Sequence, residues 1–305
     1  METKAGMEHD HHSDSPGRTA AVFGSSPDHS GKPYFTRSLW QLFDRYVGRG
    51  SYHWLRDRLD PQIQYSQLVY AALLKEVVTT GTRWLDAGCG HQLLEVRLHQ
   101  VEQALVNRAA LAVGCDVMTV SVRTHRSLHN RAVCDLQRLP FRGHTFNLVT
   151  LNMVAEHLEC PEDVMAELAG VVVPNGLVVI HTSNAVAYHA HLARLVWRIA
   201  PKRLVYGLIT FLEHRQPEDV FPTFYRANSR QRLRQLSSKV GLVERQVQMV
   251  FERPVLYFFA PLSALEMVTV RLFRRLGLAE FCASTILGVY RNAGQMPPER
   301  EDTQI

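Results

Sequence analysis

Three aspartates stand where apolar runs end: Asp86 in WLDAGCGHQ (84–92), Asp116 in AVGCDVM (112–118) and Asp135 in CDLQRLPF (134–141). In the first, the chain turns through Gly88 and Gly90 towards a helix. Glycines there let the backbone bend and let a ligand lie directly on it, although an ordinary glycine turn has the same composition. Charge separates the candidate ligands. A pyrophosphate at the following helix N-terminus is repelled by Asp86, and a dinucleotide turn takes a third glycine where this chain has Leu93. A phosphate-free nucleoside bearing positive charge is attracted by the same carboxylate. Asp116, 26 residues after Gly90, can accept from both ribose hydroxyls, each charged bond contributing about 1.5–3 kcal/mol, or can cap a helix. Asp135 is placed to meet an exocyclic adenine amine with Leu136 flanking the purine, or forms a plain turn. FNLVTLNMVAEHL (146–158) adds Asn152, Met153, Glu156 and His157. His157 is a candidate general base, with Glu156 able to orient it or to join a metal site. Alternatively the pair begins a helix and contacts the cofactor or a loop.

Positioning these residues requires strand ends gathered at one edge, and the apolar periodicity supplies them. Strands are expected at 82–87, 110–115, 132–134, 146–151, 177–181, 243–251 and 284–290. Helices are expected at 91–105, 119–128, 161–171, 186–199 and 229–240. Such alternation predicts an α/β fold with a mostly parallel sheet covered on both faces, whose ligands bind beyond the carboxyl ends of the strands.

Taken in order, the pieces resemble the class I S-adenosylmethionine-dependent methyltransferases, especially the bacterial small-molecule group called type 11, similar to the quinone-biosynthesis enzymes. The resemblance covers Trp84 to Asn184 through LDAGCG, GCD, CDLQRLPF, the strand before AEHL, and VVPNGLVVIHTSN, in which a proline-glycine turn precedes the fifth strand. A weaker match through YRANSRQRLRQLSSKVGLVERQV extends it towards Tyr290. It implies a doubly wound, Rossmann-like sheet of seven strands with the last antiparallel. It places Asp86, Gly88 and Gly90 beside the methionine portion of S-adenosyl-L-methionine, Asp116 on the ribose, Asp135 and Leu136 at the adenine, and Asn152 and Met153 near the sulfonium. Ala87, Cys89 and Val117 complete the implied cofactor-binding set. Where the family turn commonly has a further glycine, this chain has Gln92. Cys89 reads as a small buried residue rather than a nucleophile.

The implied activity is methyl transfer to a small-molecule or lipid-like acceptor, with O-methylation favoured, His157 and Glu156 as the catalytic candidates, and no resident metal. Two other classes stay open: a catalytically silent cofactor-fold or partner protein, and a nicotinamide-dependent oxidoreductase, which Asp86 and the missing third glycine oppose.

Around this domain (81–292) the sequence predicts a disordered tail (1–33), a helical entry segment (34–80), a cap over the crevice (about 201–224), an apolar helical insertion (about 254–281) and a loose C-terminal tail (293–305). His9, His11 and His12 in the first tail could catch a metal ion, but read better as a solvated polar tract. Lys+Arg exceed Asp+Glu by only 34 to 29, and five of the 34 are lysine. That field is too weak to point to nucleic acid and leaves acidic small molecules or anionic lipid headgroups as partners. The five cysteines form no C-x-x-C pair, and METKAGMEHDHH has none of a secretory signal's apolar core. A cytoplasmic location, with peripheral contact at the inner membrane, is the expectation. In 254–281, Leu265, Val268, Leu272 and Leu276 share a stripe with Arg271, Arg274 and Arg275 nearby. This stripe either rests on an anionic membrane or is buried against the sheet or a dimer partner.

Overall fold

Seven strands form one sheet in the order β3-β2-β1-β4-β5-β7-β6: β1 (Arg83–Ala87), β2 (Leu111–Asp116), β3 (Asn130–Val133), β4 (Phe146–Asn152), β5 (Val172–Ser183), β6 (Leu242–Val250) and β7 (Thr285–Asn292). β7 is antiparallel to both its neighbours, and the other pairings are parallel. The fold is thus the class I Rossmann-like arrangement the resemblance implies. The order reverses between β1 and β4, which opens a crevice at their carboxyl ends. The computed structural model describes residues 51–199, 222–257 and 259–294, all within the unit Leu42–Ile305. The predicted N-terminal tail with its histidines, the first part of the helical entry segment, residues 201–221 of the cap and nearly all of the C-terminal tail lie outside the described residues.

Alternation along the strands sets two cores, one on each face. On β1, Trp84 packs into one with Leu148, and Leu85 and Ala87 pack into the other with Val149 and Leu151. The first core is closed by α2 (Ser66–Val77) and α3 (His99–Arg108) through Tyr70, Leu74 and Leu105. The second is closed by α5 (Pro161–Val171) and α7 (Arg230–Lys239) through Val164, Leu168, Leu233 and Leu236. Local signals fix both of these ends: Pro161 opens α5 with two acids in its first turn, and Ser229 caps α7 by accepting the Arg232 N–H. The remaining helices are α1 (Tyr52–Leu59), α4 (Thr119–Arg123), α6 (Tyr188–Ile199), α8 (Ala260–Arg275) and α9 (Ala279–Cys282). The last two occupy the predicted apolar insertion.

Three local expectations need correction. The stretch 91–105 is not one helix. After the glycine turn comes a loop, then a short 3-10 turn (Val96–Leu98), and α3 starts only at His99. Leu93 and Leu94 are buried core anchors of that loop, so their spacing imitates a helix. The helix predicted over 119–128 stops at Arg123, because the ring of His125 accepts the N–H groups of Ser127 and Leu128 and turns the chain. Pro174-Asn175-Gly176 does not precede β5 but bulges within it. Val172 and Leu177 pair with Phe146 and Leu148, and Asn175 takes a φ of 64°.

Candidate functional site

Because β3, β2, β1 and β4 are adjacent and parallel, their final residues gather along one edge. Asp86, Asp116 and Asp135 belong to three neighbouring strand ends, spread over two strand spacings, about 10 Å. That span suits a nucleoside, and the structure brings the three acids together at one edge.

Each acid is held differently. Asp86 shares a sheet face with Trp84 and lies opposite Thr150 on β4, so it is 3% exposed beneath the glycine turn. Thr150 donates to Asp86 Oδ1 at 2.5 Å, and Trp84 Nε1 donates to Thr150 Oγ1 at 2.7 Å. Burial pushes the Asp86 carboxyl up to about 7; the Thr150 bond opposes this, and the charges of Glu102 and Asp116 add to it. Asp116 is half-buried and ties two loops together, accepting Gly90 N–H on Oδ2 at 2.9 Å and Met118 N–H on Oδ1 at 2.8 Å. A carboxylate has about four acceptor positions, so capacity for a diol is left. Asp135 is exposed and its Oδ1 accepts the Gln137 N–H, the turn-forming alternative, while Leu136 packs against the core.

The glycine turn is shaped by its neighbours. Gly88 and Gly90 take φ of 76° and 53°. A Cβ on Gly88 would lie 2.5 Å from Val154, whereas one on Gly90 would meet nothing within 4 Å, so the turn is tight below and open above. Ala87 and Cys89 are buried under it, and burial, followed by the charges of Asp86 and Asp116, raises the Cys89 thiol, which makes it inert packing. Val117 is 65% exposed beside Asp116. The open floor at Gly90, the acids and the exposed Val117 and Met153 fit a positively charged nucleoside.

At the end of β4 the side chains are engaged with neighbouring elements. Asn152 is consumed by the protein: its Nδ2 donates to Leu93 O, and its Oδ1 accepts from Gln67 of α2 and from Nδ1 of His181. It locks the glycine loop to α2 and β5. Met153 sits at a φ of 57°, a conformation costly for a side-chain-bearing residue and concentrated at functional sites. Glu156 and His157 do not pair. Glu156 is buried and accepts from Thr182, and its carbonyl accepts the N–H groups of Phe224 and Tyr225. His157 Nδ1 bonds to Pro222 O at 2.9 Å. Among the described residues no group of His, Cys, Asp or Glu could hold a metal ion.

Several supporting residues escaped the sequence. Gly114 permits the close approach of Cys89, whose sulfur would stand 2.8 Å from a Cβ there. A glycine inside a strand signals such an approach. Glu102 accepts the Leu94 N–H and pairs with Arg126, which also donates to Leu94 O. Burial raises the Glu102 carboxyl, but these bonds outweigh it and hold the group below the usual carboxylate range. His181 stacks on Tyr70 at 5.2 Å, and burial pushes it down to about 4, so it is neutral.

Residues 85–180 match the family described as a methyltransferase domain. No curated protein matches the chain in sequence. Among solved structures, a chain of the complex between the Haloferax volcanii Trm112 methyltransferase activator and a methyltransferase is 16% identical, with a TM-score of 0.48 over 82% of this chain and 95% of that one. An S-adenosylmethionine-dependent methyltransferase from Mesorhizobium loti is 13% identical, with a TM-score of 0.45 over 74% and 98%. Geranyl diphosphate C-methyltransferase from Streptomyces coelicolor A3(2) is 14% identical, with a TM-score of 0.42 over 73% and 77%. These likenesses are loose, and the assignment rests on the matched segment. Residues 85–180 belong to the methyltransferase-domain family, of the class I, type 11-like kind.

Proposed function

We propose that this chain is an S-adenosylmethionine-dependent methyltransferase acting on a small-molecule or lipid-like acceptor, with a hydroxyl oxygen as the atom methylated. The observation that carries this reading is the alignment of Asp86, Asp116 and Asp135 on three adjacent strand ends around an open glycine turn. When bound, S-adenosylmethionine supplies a methyl group on a sulfonium, transferred by in-line displacement. Asp86, fixed by Thr150 and Trp84, supplies negative charge under the turn in its ionised form, which a bound cation favours. Asp116 binds the ribose hydroxyls, and Asp135 with Val117 borders the adenine. Met153, held out by its left-handed backbone, lines the approach of the acceptor.

His157 takes the acceptor's proton as the carbon–oxygen bond forms. Donation of Nδ1–H to Pro222 O orients the ring. Glu156 serves as a positioning residue through its buried carboxylate, which accepts from Thr182, while its backbone carbonyl holds Phe224 and Tyr225. A nicotinamide cofactor fits less well. The chain after Gly90 forms no helical turn until Val96 and no α-helix until His99, so no helix N-terminus stands at the turn to receive a pyrophosphate.

Incubating the protein with labelled S-adenosylmethionine and a cell extract tests the reading, label in an extractable small molecule being the expected result. With the acceptor found, His157→Ala is expected to lower kcat by about 100-fold or more, with cofactor affinity unchanged. Near-normal turnover at saturating acceptor removes the general base from the mechanism.

A further inference from the structure

α8 carries apolar residues on both its inward and its outward side, Val270 and Phe273 being half-buried on the first. Ala260, Ser263 and Met267 face the protein, while Leu265, Val268, Leu272 and Leu276 fall on one outward stripe. Leu265 and Leu276 are 63% and 65% exposed. An amphipathic helix normally turns its apolar side inward, and a contiguous exposed apolar face marks a surface that is covered in use.

The chemistry around the stripe points to what covers it. The exposed residues of α8 include no carboxylate. Glu266 is taken up by the protein, accepting from Tyr188 and from the N–H groups of Val255 and Leu256. One flank of the stripe carries exposed Arg275 and exposed Arg271, the latter also donating from Nη1 to Leu59 O at the end of α1. Arg274 does not contribute, because it pairs inward with buried Asp60. The helix packed beside α8, α1, exposes Trp54 at 60%, with the Arg58 guanidinium 5.1 Å from its ring centroid.

We infer that this face of α8 docks on an anionic lipid bilayer, with its leucines at the acyl boundary and Arg271 and Arg275 among the headgroups. An apolar stripe edged by arginine, with an exposed Trp on the adjoining helix, is the composition of a helix lying in a membrane interface. A second copy offering the same face would bring more arginine with no carboxylate to meet it. At 16 residues, α8 is about 24 Å long, short of a bilayer's hydrocarbon core, and no described helix is long and apolar enough to cross one. The helix therefore rests on the membrane. None of this depends on the methyl-transfer reading.

Co-sedimentation of the full chain with mixed phosphatidylglycerol–phosphatidylcholine vesicles, and with phosphatidylcholine alone, tests it. Binding is expected to be at least about tenfold tighter to the anionic vesicles and to weaken with added salt. Leu265→Gln combined with Leu272→Gln is expected to weaken it by a further tenfold or more, and Arg275→Gln to weaken it about fivefold and flatten its salt dependence. All three positions are on the surface, and thermal unfolding of each variant confirms that it folds. Three results overturn the inference: no vesicle binding by the folded protein, unchanged binding by the leucine variant, or a self-associated species in solution that the leucine variant dissolves.

Discussion

Burial holds the Asp86 carboxyl at about 7, against 3.8 for a free aspartate, a difference worth on the order of 4 kcal/mol. A folded-state value above the unfolded one means that the unfolded chain gives up this proton first. The ligand-free protein should therefore lose stability as pH rises from about 4 to about 7 and level off above that. Asp86→Asn should abolish much of that slope and raise the melting temperature at pH 8, yet weaken S-adenosylmethionine binding by about tenfold or more. Melting curves across pH and a titration with the cofactor check the two halves separately. Stability without lost affinity would show that the charge is not used. Gly88 gives a second check. Its φ of 76° and the 2.5 Å approach to Val154 leave no room for a methyl, so Gly88→Ala should cost about 1–3 kcal/mol of stability, measured by denaturant unfolding, and reduce cofactor binding.

The glycine loop is positioned by elements far along the chain. Glu102 on α3 and Arg126 after α4 clamp Leu94 between them, and Asn152 at the end of β4 holds Leu93. Removing one partner of such a buried pair leaves an uncompensated charge, so Glu102→Ala should cost about 3–5 kcal/mol. Arg232→Ala, which breaks a more exposed pair with Glu162, should cost about 0–1 kcal/mol. Denaturant unfolding of both variants separates the cases. This clamp was not legible in the sequence, because Leu93, Leu94 and Val96 repeat at helical spacing while two of them serve as loop anchors. β1, β2, β4 and β7 were legible because each is an apolar run ending at or beside Asp, Asn or Gly, and α5 because Pro161 and two acids mark its start. The place of Asn152 at the strand end is legible in the sequence, whereas the partners of its side chain are not. Position along a strand follows from pattern, whereas the direction of an amide depends on Gln67 and His181, which are 85 and 29 residues away.

For the whole molecule, the sheet order turns scattered sequence signals into one edge, and only the order of β-α units, not any single glycine, made that edge expected. Neither periodicity nor the motifs could show that α8 leaves an apolar stripe outward, since that depends on what packs against its other face. The central claim is that this edge binds a cationic nucleoside, and titration calorimetry of the full chain measures it most directly. Saturable, one-site binding of S-adenosylmethionine is expected, strongly weakened in Asp116→Ala, with no heat from NAD. Folded protein that ignores S-adenosylmethionine, or that binds NAD in its place, would contradict the account.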